Sequence, residues 1–119
     1  MSEGRRFRIL NVDDYEIGLY AKSRVLRQAG FLVTEAGPGR AALERARADA
    51  PDLILLDVQL PDMSGFDVCV ECGDLDATSV VLVSSRDATD FGSLIETSGA
   101  RGFVPKAELS GAAITSLLA

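Results

Sequence analysis

The sequence predicts an α/β fold built on a single parallel sheet. Short apolar runs alternate with helix-like stretches five times, which is the repeat of a parallel sheet with helical crossovers. The runs near residues 7–12, 53–57 and 79–84 are too apolar to be half-exposed strands, and strands covered by helices on both faces have this character. Four runs also end in a polar residue suited to a metal ion or a phosphate. Ile9-Leu10-Asn11-Val12 leads into Asp13 and Asp14, and Leu53-Ile54-Leu55-Leu56 into Asp57. Val80-Val81-Leu82-Val83 leads into Ser84, and Phe103-Val104-Pro105 into Lys106. In a parallel sheet those ends share one edge, and open α/β sheets bind ligands at the carboxyl ends of their strands.

The first strand is the run before Asp13. The first helix begins near Tyr15, with Asp13 or Asp14 as its N-cap, and ends at Gly30, a natural left-handed residue after a helix. Phe31 to Glu35 is shorter and more polar than the other runs, which places it at a sheet edge. The second helix opens with Pro38 near its first turn and stops before Pro51. The strand ending at Asp57 is followed by a loop containing Pro61 and Gly65. A short third helix starts after Gly65 and is broken by Gly73-Asp74. After the strand ending at Ser84, a fourth helix is expected over 88–98, with Phe91, Leu94 and Ile95 on one face and Gly99 closing it. Gly102 to Val104 is the last strand. A fifth helix begins near Ser110 and carries Ile114, Leu117 and Leu118.

The 119 residues are one domain's worth of chain and, at 47% hydrophobic, enough to bury a core without staples. The formal net charge of -6 weighs against nucleic-acid binding. No apolar stretch reaches membrane-spanning length, and Met-Ser-Glu-Gly-Arg-Arg has no apolar core behind its basic residues. A cytoplasmic protein is the simple expectation. Histidine is absent, which removes Ser-His-Asp and Cys-His schemes and most transition-metal sites. Any phosphohistidine must come from another protein.

Taken alone, Asp13-Asp14 reads first as helix capping, Ser84 as a strand-end residue and Lys106 as a solvated side chain. Asp57 changes that reading. A carboxylate after a fully apolar strand has no packing purpose, and it can act as a nucleophile toward phosphorus. A divalent cation would offset the charge of the incoming dianion. Mg²⁺ favours oxygen ligands and keeps several waters, so a few carboxylates suffice. Phosphoryl transfer further needs positioning and neutralisation of the equatorial oxygens, which an ammonium and a hydroxyl supply. Cys69-Val70-Glu71-Cys72 lacks a second pair and any histidine. Its sulfurs share a helix face at i, i+3 spacing, which fits core packing rather than zinc or redox chemistry.

The motifs Val12-Asp13-Asp14, Leu56-Asp57 followed by Leu60-Pro61-Asp62-Met63-Ser64-Gly65, Val83-Ser84-Ser85, and Gly99-Ala100-Arg101-Gly102-Phe103-Val104-Pro105-Lys106 together resemble the receiver domains of two-component response regulators, over essentially the whole chain. The resemblance implies a flavodoxin-like five-stranded parallel sheet in order 2-1-3-4-5, with five helices on its two faces. It implies that Asp57 accepts a phosphoryl group from a phosphohistidine on a sensor kinase or phosphotransfer protein. Asp14 would bind Mg²⁺ directly and Asp13 mainly through water, alongside Asp57 and the backbone carbonyl of Gln59. Ser84 and Lys106 would contact the phosphoryl oxygens, Ser84 and Phe103 would form a switch, and Gln59 and Arg86 would tune phosphate lifetime. The altered surface would be the fourth helix, fifth strand and fifth helix, read by a downstream protein or used in a homodimer.

Some residues depart from the family pattern. Ala107 follows the lysine where a proline is usual, so a cis Lys106-Ala107 bond would cost about 3 kcal/mol, or the loop differs. Ser85 stands where alanine is frequent, and the segment from Gly65 to Ser84 is a few residues short. The reading is a receiver over residues 1–119 with no output domain, resembling the chemotaxis-regulator-like, single-domain members of the family. The competing reading is a receiver-like interaction module that does not use phosphate. An Asp-nucleophile phosphatase is disfavoured because Gln59 stands where its second acid belongs.

Overall fold

In the computed structural model, residues 7–118 are described. Met1–Arg6, where a secretory signal was sought, lie outside them. Five strands, β1 (Arg8–Val12), β2 (Leu32–Ala36), β3 (Leu53–Asp57), β4 (Ser79–Ser84) and β5 (Gly102–Pro105), form one sheet in the order β2-β1-β3-β4-β5, all neighbours parallel. The helices are α1 (Glu16–Gln28), α2 (Gly39–Asp49), α3 (Gly65–Glu71), α4 (Leu94–Thr97) and α5 (Gly111–Leu118).

The alternation of side chains along the central strands divides the core in two. Leu10, Val12, Ile54, Leu56, Val80 and Leu82 face α2 and α3 through Ala42, Leu43, Ala46, Val68 and Cys69. Ile9, Leu53, Leu55, Val81, Val83 and Val104 face the other way, onto Leu26 of α1 and Ile114 of α5. Every residue of β3 is buried, as its unbroken apolar run requires. β2 lies at an edge with only partial burial, in keeping with its polarity.

Helix ends follow local chemistry with two corrections. Tyr15, not an aspartate, holds the N-cap position of α1. Asp13 nevertheless supports this end, its Oδ1 accepting from the Tyr15 N–H at 3.0 Å. Gly30, with φ of 99°, follows α1, and the Phe31 N–H reaches back to the Leu26 carbonyl at 3.2 Å. Ser64 caps α3 by accepting from the Phe66 N–H at 3.0 Å. The continuous helix expected over 88–98 is not formed. A 3₁₀ turn at Ala88–Phe91 is separated from the four-residue α4 by Gly92 at φ of 58°. Positive φ stops helical propagation, so the expected single face is split. Phe91 packs inward against Phe66 and Phe103, while Leu94 is exposed.

Candidate functional site

The parallel register brings the predicted polar ends to one edge. Asp57 sits opposite Val83, and Ser84 opposite Pro105. Asp13, Asp14, Tyr15, Asp57, Gln59, Leu60, Pro61 and Lys106 line a cleft of about 340 Å³ there. Its centre is an ionic cluster. Lys106 Nζ lies 2.8 Å from Asp57 Oδ2 and 3.4 Å from Asp13 Oδ2. Asp57 is also braced by its own loop, its Oδ1 accepting from the Gln59 N–H at 2.9 Å. That loop is closed tightly. The Gly65 N–H donates to the Val58 carbonyl at 2.7 Å, and a Cβ on Gly65 would meet the Asp57 carbonyl oxygen at 2.3 Å.

Both acids are buried with little water to solvate them. For Asp57, burial pushes the carboxyl above its ordinary value and outweighs the opposing hydrogen bonds from Lys106 and the Gln59 N–H. For Asp13, burial acts in the same sense, but the Tyr15 N–H and the charges of Lys22 and Lys106 prevail and hold it below the ordinary value. Lys106, whose desolvation is offset by Asp57 and Asp13, is raised. The cleft therefore holds two carboxyls shifted in opposite senses, Asp13 below and Asp57 above the ordinary value.

The donor set fits a hard divalent cation. Asp13, Asp14, Asp57 and Gln59 all border the cleft and offer carboxylate and carbonyl oxygens to it. Among the described residues no three acidic, cysteine or histidine side chains already converge into a cage, and the Lys106 ammonium lies against both Asp13 and Asp57.

The remaining predicted residues sit around this cluster. Ser84 is buried at the end of β4, its Oγ accepting from the Arg86 N–H at 3.0 Å, next to the cleft rather than in its lining. Arg86 turns away, with Nε 3.5 Å from Asp90 and its guanidinium 5.6 Å from the Phe91 ring centroid. Phe103 is half-buried, its ring 5.8 Å from Phe91, which in turn lies 5.4 Å from Phe66. Lys106-Ala107 is trans, and Lys106–Glu108 forms a 3₁₀ turn, so the loop adapts without a cis bond.

Sequence reasoning missed Lys22, which is buried with its Nζ 3.3 Å from Asp13 Oδ2. The signal was a lysine among the buried residues of α1, which are Lys22, Ser23 and Leu26. It also missed Asn11, buried within β1, whose Nδ2 donates to the Leu19 carbonyl at 3.2 Å and to Ser23 Oγ at 2.9 Å. The two cysteines behave as core residues. Both are buried and free, and burial pushes the Cys72 thiol up to about 11.

Residues 9–117 match the model of the response regulator receiver domain. The chain belongs to the response regulator receiver domain family. The receiver is 35% identical over 106 residues to the probable transcriptional regulatory protein TcrX of Mycobacterium tuberculosis, covering 88% of this chain and 45% of that one. It is 41% identical over 102 residues to the DNA-binding response regulator MtrA of Mycolicibacterium smegmatis, covering 85% of this chain and 44% of MtrA. It thus spans less than half the length of these relatives. Among solved structures, the receiver domain of the putative response regulator NarL from Mycobacterium tuberculosis superposes with a TM-score of 0.82 at 30% identity, over 96% of this chain and 98% of that one. The chemotaxis response regulator CheY4 of Vibrio cholerae gives 0.79 at 26% identity, over 96% and 97%. No helix among the described residues is long and apolar enough to cross a membrane.

Proposed function

We propose that this receiver is phosphorylated on Asp57 by a partner histidine kinase or phosphotransfer protein, in a Mg²⁺-dependent reaction. The observation that carries the reading is the cluster of buried Asp57, buried Asp13 and Lys106 at the carboxyl edge of the sheet, with Asp57 Oδ2 2.8 Å from the lysine ammonium. An Asp57 carboxylate oxygen attacks phosphorus, the bond from phosphorus to the donor's leaving group breaks, and an acyl phosphate forms on Asp57. Mg²⁺, when bound, supplies charge neutralisation for the phosphoryl oxygens, and Asp13, Asp14, Asp57 and the Gln59 carbonyl would hold it. Lys106 leaves its pairing with the carboxylate for the phosphoryl oxygens. Ser84 Oγ, buried beside the site, donates a hydrogen bond to the same group.

Movement of Ser84 would be transmitted to Phe103 and its ring partners Phe91 and Phe66, and so to the α4, β5 and α5 surface. The reading includes a downstream protein that recognises this surface. The domain acts as a signalling acceptor, assisting only its own phosphorylation and dephosphorylation. The test is intact-protein mass after incubation with acetyl phosphate and Mg²⁺. A single phosphoryl addition in wild type and none in Asp57→Asn is expected. An addition retained in Asp57→Asn, or Mg²⁺-independent labelling, contradicts the assignment.

A further inference from the structure

A second ammonium stands behind the cleft. Lys22 is only 6% exposed, yet its Nζ reaches to 3.3 Å of Asp13 Oδ2. That same oxygen is 3.4 Å from Lys106 Nζ, so two lysines from different ends of the chain share one carboxylate atom. Only Lys106 lines the cleft; Lys22 approaches from within α1. Lys22 Nζ and Asp13 Oδ2 form an ion pair, and the structure shows no other partner for Lys22 Nζ among the described residues.

Helix geometry explains how a lysine gets there. Side chains lean toward the helix N-terminus, so Lys22 lies over the turn that contains Gly18, four residues earlier. A Cβ on Gly18 would meet Asp13 Oδ2 at 2.9 Å and the Tyr15 ring at 3.2 Å. Glycine inside a helix costs about 0.5–1 kcal/mol relative to alanine. Here its missing side chain leaves the Asp13 carboxylate free to face α1 and meet the Lys22 ammonium. Burying a lysine is also costly, and such groups persist where they are paired.

We propose that Lys22 is a built-in counter-cation of the acidic cleft, neutralising Asp13 in the metal-free receiver and thereby weakening its affinity for Mg²⁺. The inference rests on the Mg²⁺-dependent reading given above. Lys106 can leave for the phosphoryl group, whereas Lys22 is enclosed by α1 and stays with Asp13. A divalent ion entering the cleft therefore meets a carboxylate whose charge is already compensated. Removing Lys22 leaves Asp13 Oδ2 facing Lys106 alone and takes one repulsive charge away from the incoming ion.

The test is calorimetric titration of Mg²⁺ into wild type and Lys22→Met, with urea denaturation of each in metal-free buffer. Lys22→Met keeps the length of the side chain and removes its charge. Lys22→Gln serves as the second neutral variant should methionine fail to pack. The expected result is Mg²⁺ binding about tenfold tighter in the neutral variant, with lower stability in the metal-free state and a larger gain on adding Mg²⁺. Unchanged or weaker Mg²⁺ binding in a folded neutral variant overturns the role of Lys22 while leaving the phospho-acceptor reading intact. Failure of wild type itself to bind Mg²⁺ overturns both.

Discussion

Gly65→Ala should damage the fold and the site together. A Cβ at this position would sit 2.3 Å from the Asp57 carbonyl oxygen, 2.8 Å from Val58 Cα and 3.0 Å from the Asp57 carbonyl carbon. Ordinary contact begins near 3.4 Å, so the worst approach is short by about 1.1 Å, and all three atoms are backbone that cannot rotate away. Overpacking of this kind costs about 1–3 kcal/mol. The displacement also stretches the 2.7 Å hydrogen bond from the Gly65 N–H to the Val58 carbonyl, a further loss of about 1 kcal/mol. Against this, alanine is the better helix former by about 0.5–1 kcal/mol, because Gly65 is the first residue of α3. The clash wins, and the net loss is about 1–3.5 kcal/mol. For a domain of this size that is a fall in Tm of about 4–14 °C, read by thermal denaturation followed by circular dichroism. The same shift moves the residue after β3, so phosphoryl uptake by Asp57 should fall as well. A variant within about 0.5 kcal/mol of wild type would refute the claim that this close approach holds the Asp57 loop.

Asp62 accepts from the backbone N–H groups of Gly39 and Arg40 at 2.7 and 2.9 Å, and these bonds hold its carboxyl below the ordinary 3.8. A depressed carboxylate contributes stability that is complete above pH 3.8 and is lost as acidification below that value protonates it. The stability difference between wild type and Asp62→Asn should therefore shrink below that pH, as read by urea titrations across the acid range. Lys106→Met removes the partner of buried Asp57. It should cut the rate of phosphoryl uptake from acetyl phosphate about 100-fold, measured by timed mass spectra. Leu55→Ala opens a cavity between β3 and the α1 and α5 layer, and should cost about 3–5 kcal/mol in urea denaturation. Cys69 and Cys72, buried and with raised thiol values, should resist a thiol reagent at pH 8 in the native state and both react in urea.

The sheet was legible because its strands are unbroken apolar runs, and their order followed from the family resemblance. The site was legible for a related reason. Parallel strands end on one edge, so Asp13, Asp57, Ser84 and Lys106 could be brought together from strand ends alone. The fourth helix was not. Its apolar spacing fits a helix, but the positive φ of Gly92 is a backbone choice that side-chain periodicity does not encode. Lys22 and Asn11 were missed because pattern reading assigns charged and amide residues to the surface. Only tertiary pairing, with Asp13 in one case and Ser23 in the other, permits their burial. Arg86 has an acid for a partner, Asp90 at i, i+4, and its guanidinium lies beside the Phe91 ring.

The most direct measurement is location of the modified residue itself. The receiver would be phosphorylated with acetyl phosphate and Mg²⁺, reduced with borohydride, which converts an aspartyl phosphate to homoserine, and mapped by peptide mass spectrometry. Homoserine at residue 57 and at no other aspartate is the predicted result. Homoserine at Asp13, Asp14 or Asp62, or none in a protein that binds Mg²⁺ and has gained one phosphoryl group, would contradict the assignment of Asp57 as the acceptor.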